Sequence, residues 1–268
     1  MFENKKIIIV TPAGRKRYLE ILIKYILNLR DVVDEYRLWV NTKNEEDILF
    51  IEQLAKIYPE FIKLEYNSCL INQDNPGESI YSFFKNCKEP NTVYIRFDDD
   101  IIRMEGLNEF KNFLKFRIDH PEYFLVYGNI LNNAITTHIH QRKGNLNISS
   151  EIVSYDSNDI HGWNNAFFAE NLHRQVLDKK LNDFHFGIWK LYNYERVSIN
   201  CISWLGEEFE KFNGIVHPNE EQWLSVNKPM NLEKFNVIYG DFVCLHYAFF
   251  TQRGYLDTTD ILDKNKLI

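Results

Sequence analysis

Three consecutive carboxylates, Asp98, Asp99 and Asp100, follow directly on an apolar run at residues 93–97. Adjacent carboxylates repel one another, so a purely structural role is costly, whereas a divalent cation reverses the penalty by favouring the ionised forms. If extended geometry persists through the triplet, Asp98 and Asp100 project to one side and Asp99 to the other. One member of the alternating pair then holds a metal directly, and the other binds through water or a ribose hydroxyl. Hard oxygen ligands of this kind suit Mg²⁺ or Mn²⁺, with a substrate diphosphate completing the shell. The competing reading is an acidic turn capping a helix that begins near Glu105. The apolar strand running into the triplet favours the metal.

Other residues offer chemistry of their own. His246 stands in the apolar stretch 237–247, where an unpaired imidazole would need a partner, and a satisfied core histidine is the plain reading. Arg96 lies two residues before Asp98, on the same strand face, placed for a ligand or for an ion pair with the acidic cluster. Arg15, Lys16 and Arg17 read on their own as a solvated helix start. Trp163, Asn164 and Asn165, after His161-Gly162, combine an indole with two amides, a mixture suited to a sugar; a plain turn is the alternative. His138 and His140 alternate in a polar stretch with no carboxylate nearby, and are expected at the surface or on the acceptor side.

The elements that must position these groups follow from periodicity. Short apolar strands are expected at residues 7–10, 36–40, 61–66 and 93–97, the first ending in the loop Thr11-Pro12-Ala13-Gly14. Between them lie helical patterns: Leu19, Leu22, Ile23, Ile26 and Leu29; then Ile48, Ile51, Ala55 and Tyr58; then Ile80, Phe83, Phe84 and Cys87 after Ser79. Strands alternating with helices predict an α/β fold, a mainly parallel sheet flanked by helices on both faces. Ligands of such sheets bind at the carboxyl ends of the strands, so the segments after residues 10, 40 and 97 should share one rim. A helix at 107–118 and a strand at 123–127 follow. Residues 129–159 read as a polar, irregular excursion. Regular patterns return at 172–181, 196–202 and 237–247.

At this point VYIRFDDDI resembles the strand and Asp-x-Asp motif of the GT-A fold glycosyltransferases, of the family 2 kind. The likeness extends over most of residues 1–105, through the first strand and loop, a second strand ending in Asn41-Thr42, and the Asn- and Gly-bearing loop 72–77. It implies a Rossmann-like GT-A sheet, with the nucleotide over the ends of the first strands and a metal between its diphosphate and the Asp motif. Thr11, Pro12, Ala13 and Asn41 would line the nucleoside, with Arg15 or Arg17 near base or phosphate. Asp98 would face the ribose or sugar and also approach the metal, Asp99 would count among the nucleotide-sugar-binding residues, and Asp100 would be the direct ligand. Arg96 would contact the donor.

The family often recruits a His from the far end of the chain, which here implies His246, with Arg253 closing over the diphosphate. Asn219-Glu220-Glu221 resembles the acidic helix start that supplies the base in inverting members, departing from its common Glu-Asp form. Glu221 is the first choice and Glu220 the second; an acidic first turn is the plain alternative. The activity implied is metal-dependent transfer, with Mn²⁺ or Mg²⁺, of a sugar from a nucleotide-sugar donor to a glycan or saccharide acceptor, in polysaccharide biosynthesis. A nucleotidyl- or phosphotransferase would favour a Gly- and Lys-rich phosphate loop, which Thr11-Pro12-Ala13-Gly14-Arg15 does not form. A non-catalytic carbohydrate- or nucleotide-binding module is the third reading.

Bulk properties bound these readings. The 268 residues suffice for one domain, 1–268, with a nucleotide-sugar-binding half at 1–105 and an acceptor-binding half at 106–268. A formal net charge of −7 argues against a general nucleic-acid binder. Cys69, Cys87, Cys201 and Cys244 form no CxxC pair, so reduced thiols are expected rather than a zinc site or disulfide framework. The N-terminal apolar stretch is too short for a signal peptide, and no window approaches the roughly 18 apolar residues of a membrane span. A cytoplasmic enzyme is the simplest expectation.

Overall fold

The computed structural model describes residues 1–66, 76–149 and 151–267. Burial explains the first strands directly. β1 (Lys6–Ala13) is covered at seven of its eight positions, and β2 (Glu35–Val40) and β4 (Thr92–Phe97) are enclosed almost throughout. With β3 (Ile62–Tyr66) they form a parallel array in the spatial order β3-β2-β1-β4. Strands covered on both faces read as continuous apolar runs, which is why they are visible in the sequence.

α1 (Lys16–Leu27) buries Leu19, Leu22 and Ile26 on one stripe. Its start is fixed from outside, because Lys16 N–H donates to Asp47 on α2 (Glu45–Ile57) at 2.8 Å. Asn44 in turn caps α2, and Glu45, Glu46 and Asp47 complement its dipole. The third helical pattern is a 3₁₀ helix, Pro76–Asn86, starting before the expected Ser79. Cys69 and residues 72–75 of the expected loop lie outside the described residues.

β5 (Ile101–Met104) and α3 (Leu107–Asp119) follow the triplet. β6 is Val126–Leu131, displaced from the expected 123–127. The excursion expected at 129–159 is not wholly irregular: it holds the end of β6 and the helix α4 (Ala134–Lys143), capped by Asn133 and closed by Gly144 at φ 77°. Polar residues here face inward. Asn129, Asn132, Asn133, Thr136 and His140 are all buried, so the expectation of a surface His140 is corrected. His138 is partly buried, and its ring meets Val153 O at 2.6 Å.

The remaining elements are α5 (Ile160–Trp163), α6 (Ala166–Leu177), β7 (Ile188–Leu191), β8 (Cys201–Leu205) and α7 (Gly206–Glu210). After them come α8 (Glu220–Gln222), a π-helical turn (Trp223–Asn227), α9 (Lys228–Asn231), β9 (Asn236–His246), α10 (Phe250–Leu256) and α11 (Ile261–Lys266). The sheet continues β4-β8-β6-β9-β5, with β7 also pairing β9. β8 is antiparallel to both neighbours, while β6 and β9 are parallel. Among the described residues the result is a nine-stranded, mostly parallel sheet flanked by helices. The two expected halves share it, because β5 lies at the far edge against β9. β9, which holds most of the apolar stretch 237–247, lies in the interior of the sheet.

A shift in β9 decides where its end falls. Tyr239 pairs with Gly128, but the next partner of β6 is Val243 with Asn129. Asn129 donates to Gly240 O at 3.0 Å and Phe184 O at 2.9 Å, and its own Oδ1 accepts from His140 Nε2 at 2.9 Å. Gly187 N–H donates to Asp241 at 2.8 Å from the other side. The bulge is thereby held, and β9 ends with His246 paired opposite Ile101, one residue from Asp100. Cys201 and Cys244 are buried free thiols whose sulfurs are 3.7 Å apart, and Cys87 is likewise free and buried.

Candidate active site at the acidic turn

The triplet does not continue the strand. Ile101 N–H donates back to Asp98 O at 3.2 Å, closing a turn, so the expected alternation fails. Asp98 is sent one way, and Asp99 and Asp100 another.

Asp99 faces the loop after β1. Its carboxylate accepts from Gly14 N–H at 3.0 Å and from Arg15 Nε at 2.9 Å, with a further short contact to the same guanidinium. The approach is close: a Cβ at Gly14 would lie 3.1 Å from Asn41 O, so a larger residue would require that neighbour to give by a few tenths of an ångström. Burial raises the Asp99 pKa, against the opposing pull of Arg15.

Asp100 is the centre of the site. Its Oδ2 lies 3.0 Å from Arg15 Nη1, 3.3 Å from Arg253 Nη2 and 3.5 Å from His246 Nε2. Its Oδ1 is buried without a hydrogen-bond partner among the described residues. Burial alone would raise its pKa, but Arg15, His246 and Arg253 together outweigh that and hold it well below the carboxylate range. His246 is oriented from behind: Nδ1 meets Asn132 O at 3.3 Å, and a carbonyl can only accept. Nδ1 therefore carries a proton, so Nε2 donates to Asp100 when the ring is protonated and presents its lone pair there when the ring is neutral. Asn132, at φ 64°, also donates to Tyr247 O and Gln252, fixing the turn that leads to α10 and Arg253.

A carboxylate oxygen and an imidazole lone pair facing each other at 3.5 Å, beside an orphaned Oδ1, form a donor set that fits a divalent cation. The set is incomplete alone. Among the described residues no group of three or more His, Cys, Asp or Glu side chains could hold a metal. The remaining ligands would have to come from a bound molecule. Asp98 does not join Asp100: its oxygens accept from Arg96 Nε at 2.8 Å and Asn200 Nδ2 at 2.9 Å.

Arg96 is buried and bridges two acids, its Nη1 donating to Glu220 at 2.7 Å. Glu220 Oε2 is buried without a partner among the described residues, and burial lifts the Glu220 pKa despite Arg96. Glu221 instead pairs with Arg196 at 2.7 Å. Of the two glutamates, only Glu220 is wired to the acidic turn.

The other anticipated residues are less central. Thr11, Pro12 and Ala13 belong to β1 and are buried; Thr11 Oγ1 accepts from Tyr36. Asn41 is also buried, and its Oδ1 accepts from Ser79 at 2.6 Å. Arg17 is exposed and bound to Asp257 at 2.8 Å. Arg15, Lys16 and Arg17 line an open hollow of about 410 Å³ together with Glu20, Glu46 and Asp47. Its balanced charges make it a poor phosphate site. Trp163 lies beside exposed Phe250, ring centroids 6.3 Å apart, and its carbonyl accepts from Thr251. Asn164 is exposed, whereas Asn165 is committed to capping α6 and to His161. Asn132 and Asn200, which orient His246 and Asp98, have no local signal in the sequence.

No family model matches the sequence, and no curated protein does. Solved structures match in fold. The mannosyltransferase PcManGT from Pyrobaculum calidifontis, in complex with GDP-Man and Mn2+, aligns with a TM-score of 0.53 at 10% identity, over 94% of this chain and 59% of its own. GalNAc-T7, solved with UDP, GalNAc and Mn2+, aligns at 0.50 and 10%, over 93% and 44%. TarS from S. aureus, residues 1–349, aligns at 0.50 and 11%, over 91% and 60%. The chain thus spans less than two thirds of each of these structures. What the likeness establishes is architecture: this is the GT-A fold.

Proposed function

We propose that the chain is a glycosyltransferase that moves a sugar from a nucleoside-diphosphate donor to a saccharide acceptor, with inversion, and depends on a divalent cation. The observation carrying the reading is the convergence of Arg15, Arg253 and His246 on Asp100 Oδ2, at the rim where strands of a GT-A sheet end. Two guanidiniums there suit a diphosphate leaving group. The proteins of like fold that were solved with GDP-Man or UDP support a nucleotide-linked donor.

Asp100 and His246 would hold the cation; Mn²⁺ or Mg²⁺ bound there supplies Lewis-acid stabilisation of the leaving diphosphate. Arg15 and Arg253 add fixed positive charge where negative charge develops. Asp98, aligned by Arg96 and Asn200, is placed to accept hydrogen bonds from ribose or sugar hydroxyls. Glu220 is the proposed base in preference to Glu221. Its free Oε2 takes the acceptor hydroxyl proton as that oxygen attacks the anomeric carbon, and the raised pKa strengthens it as a base at neutral pH. Trp163, with Phe250 beside it, offers an aromatic face to the acceptor sugar. The family 2 kinship, polysaccharide assembly and a cytoplasmic setting belong to the same proposal. Among the described residues no helix is long and apolar enough to cross a membrane.

The test is acceptor-dependent sugar transfer from a panel of UDP-, GDP- and TDP-sugars, with Mn²⁺ or with chelator. Release of nucleoside diphosphate coupled to glycoside formation with one donor, lost in chelator, is expected. Absence of transfer and of donor hydrolysis across the panel would remove the proposal.

A further inference from the structure

Two aromatic pairs cross the seam between α5–α6 and α10. Trp163 meets Phe250 with ring centroids 6.3 Å apart, and Phe167 meets Tyr255 at 4.4 Å. Phe250 and Phe167 are 75% and 65% exposed, so each leaves most of its ring to solvent beside α10. The proposed reaction uses only the first pair. Phe167 instead lines a separate hollow of about 310 Å³, whose other walls are largely polar. Asn171 follows Phe167 by one helical turn and is exposed on the same side of α6. His161 and Glu151 add a fixed polar wall. Asn165 Oδ1 accepts from Phe168 N–H at 3.0 Å, so its Nδ2 is the atom that donates to His161 Nδ1 at 3.2 Å. The ring's proton is thereby placed on Nε2, which faces Glu151 at 3.3 Å. Buried Phe168 backs the imidazole, ring centroids 6.1 Å apart.

This lining selects a chemistry. Among the described residues no Lys or Arg borders the hollow, and Glu151 is its one carboxylate, so a phosphate or acidic ligand would meet no cation there. A neutral sugar ring fits: its C–H face packs on an aromatic side chain, and its hydroxyls exchange hydrogen bonds with an amide and a carboxylate. We propose that the hollow is a second saccharide subsite, which binds a neutral unit of the acceptor away from the reacting hydroxyl, so that the enzyme acts on a glycan chain and not on a single sugar. The inference rests on the glycosyltransferase reading and narrows its acceptor. α10 ties the two places together. Phe250 and Tyr255 are five residues apart on it, about 7.5 Å along its axis, a spacing that units of one chain can bridge. Arg253, between them, reaches Asp100 at the acidic turn.

The experiment reads binding and turnover separately, on the full chain. Ligand-observed NMR titrations without donor, using maltotriose, cellotriose, mannotriose and chitotriose, should find a trisaccharide that binds wild type. Its affinity should fall about tenfold in Phe167→Ala, fall less in Asn171→Ala, and be largely kept in Phe167→Tyr, which retains the ring. Both positions are exposed, so the variants should keep the wild-type circular dichroism. In transfer assays the KM of a three-unit acceptor should lie about tenfold below that of the matching single sugar. Phe167→Ala should erase that advantage at unchanged kcat, a split that damage to the reaction centre would not give. No trisaccharide binding to wild type, equal binding by Phe167→Ala, or an unchanged long-acceptor KM in that variant overturns the inference while leaving glycosyl transfer standing. Absence of sugar transfer to any acceptor overturns the parent reading and, with it, the role of the hollow as an acceptor subsite.

Discussion

Acidification should weaken this protein through a histidine far from any solvent. His140 is fully buried, its Nε2–H donates to Asn129 Oδ1, and burial together with Lys143 and Lys179 lowers its pKa from 6.5 to about 3. The unfolded chain takes up a proton near pH 6.5, which the folded chain refuses until about pH 3. The contribution of His140 to stability is therefore complete above the unfolded value and is lost as pH falls toward the folded one. Between about pH 7.5 and about pH 5, the loss is ~2 kcal/mol. His173, buried and lowered to about 4, adds a similar loss over the same range. Urea titrations at the two pH values, followed by circular dichroism, measure the total. His140→Gln keeps a donor for Asn129 but cannot titrate, so its pH-dependent loss should be smaller than wild type by ~2 kcal/mol. A variant with the wild-type pH dependence would show that His140 is protonated in the native state, and would refute the reasoning. Because Asn129 also clamps the β9 bulge, the same variant reports on the scaffold that delivers His246.

Three further outcomes follow from the site and its frame. Glu220→Gln should lower kcat about 100-fold or more while Glu221→Gln stays within a few-fold, measured with the donor found active; the reverse order would move the base to Glu221. The wild-type kcat/KM profile should fall on acidification with a midpoint above the ordinary glutamate value of 4.5, because Glu220 must be ionised to take a proton and burial raises its pKa. A profile flat down to that value would contradict the assignment. Gly206→Ala should cost ~1–3 kcal/mol or prevent folding, since its Cβ would fall 1.9 Å from Glu89 O; an unchanged urea midpoint would show that the segments separate freely.

The parallel half of the sheet was legible because its strands are covered on both faces and read as unbroken apolar runs, as at Ile7–Val10 within β1. The position of the triplet at a strand end was legible for the same reason. Its geometry was not. Strand alternation paired Asp98 with Asp100, whereas the turn back to Asp98 O pairs Asp99 with Asp100 around Arg15. The segment around Asn129, Asn132 and His140 looked solvent-facing because its residues are polar, but polar groups that satisfy one another can be buried. Contacts such as Arg96 with Glu220 and Asp98 with Asn200 join residues more than a hundred positions apart, and no local pattern announces them. That distance is also why the sequence alone places Glu221 ahead of Glu220.

The central claim is that Asp100 is the carboxylate on which donor activation depends. The direct measurement is nucleoside diphosphate release from the active nucleotide sugar, by wild type and by folded Asp100→Ala, in the same Mn²⁺ buffer. Loss of about 100-fold or more in kcat/KM is the predicted result, in line with removal of a group that organises leaving-group stabilisation. Turnover by Asp100→Ala within a few-fold of wild type would contradict the account.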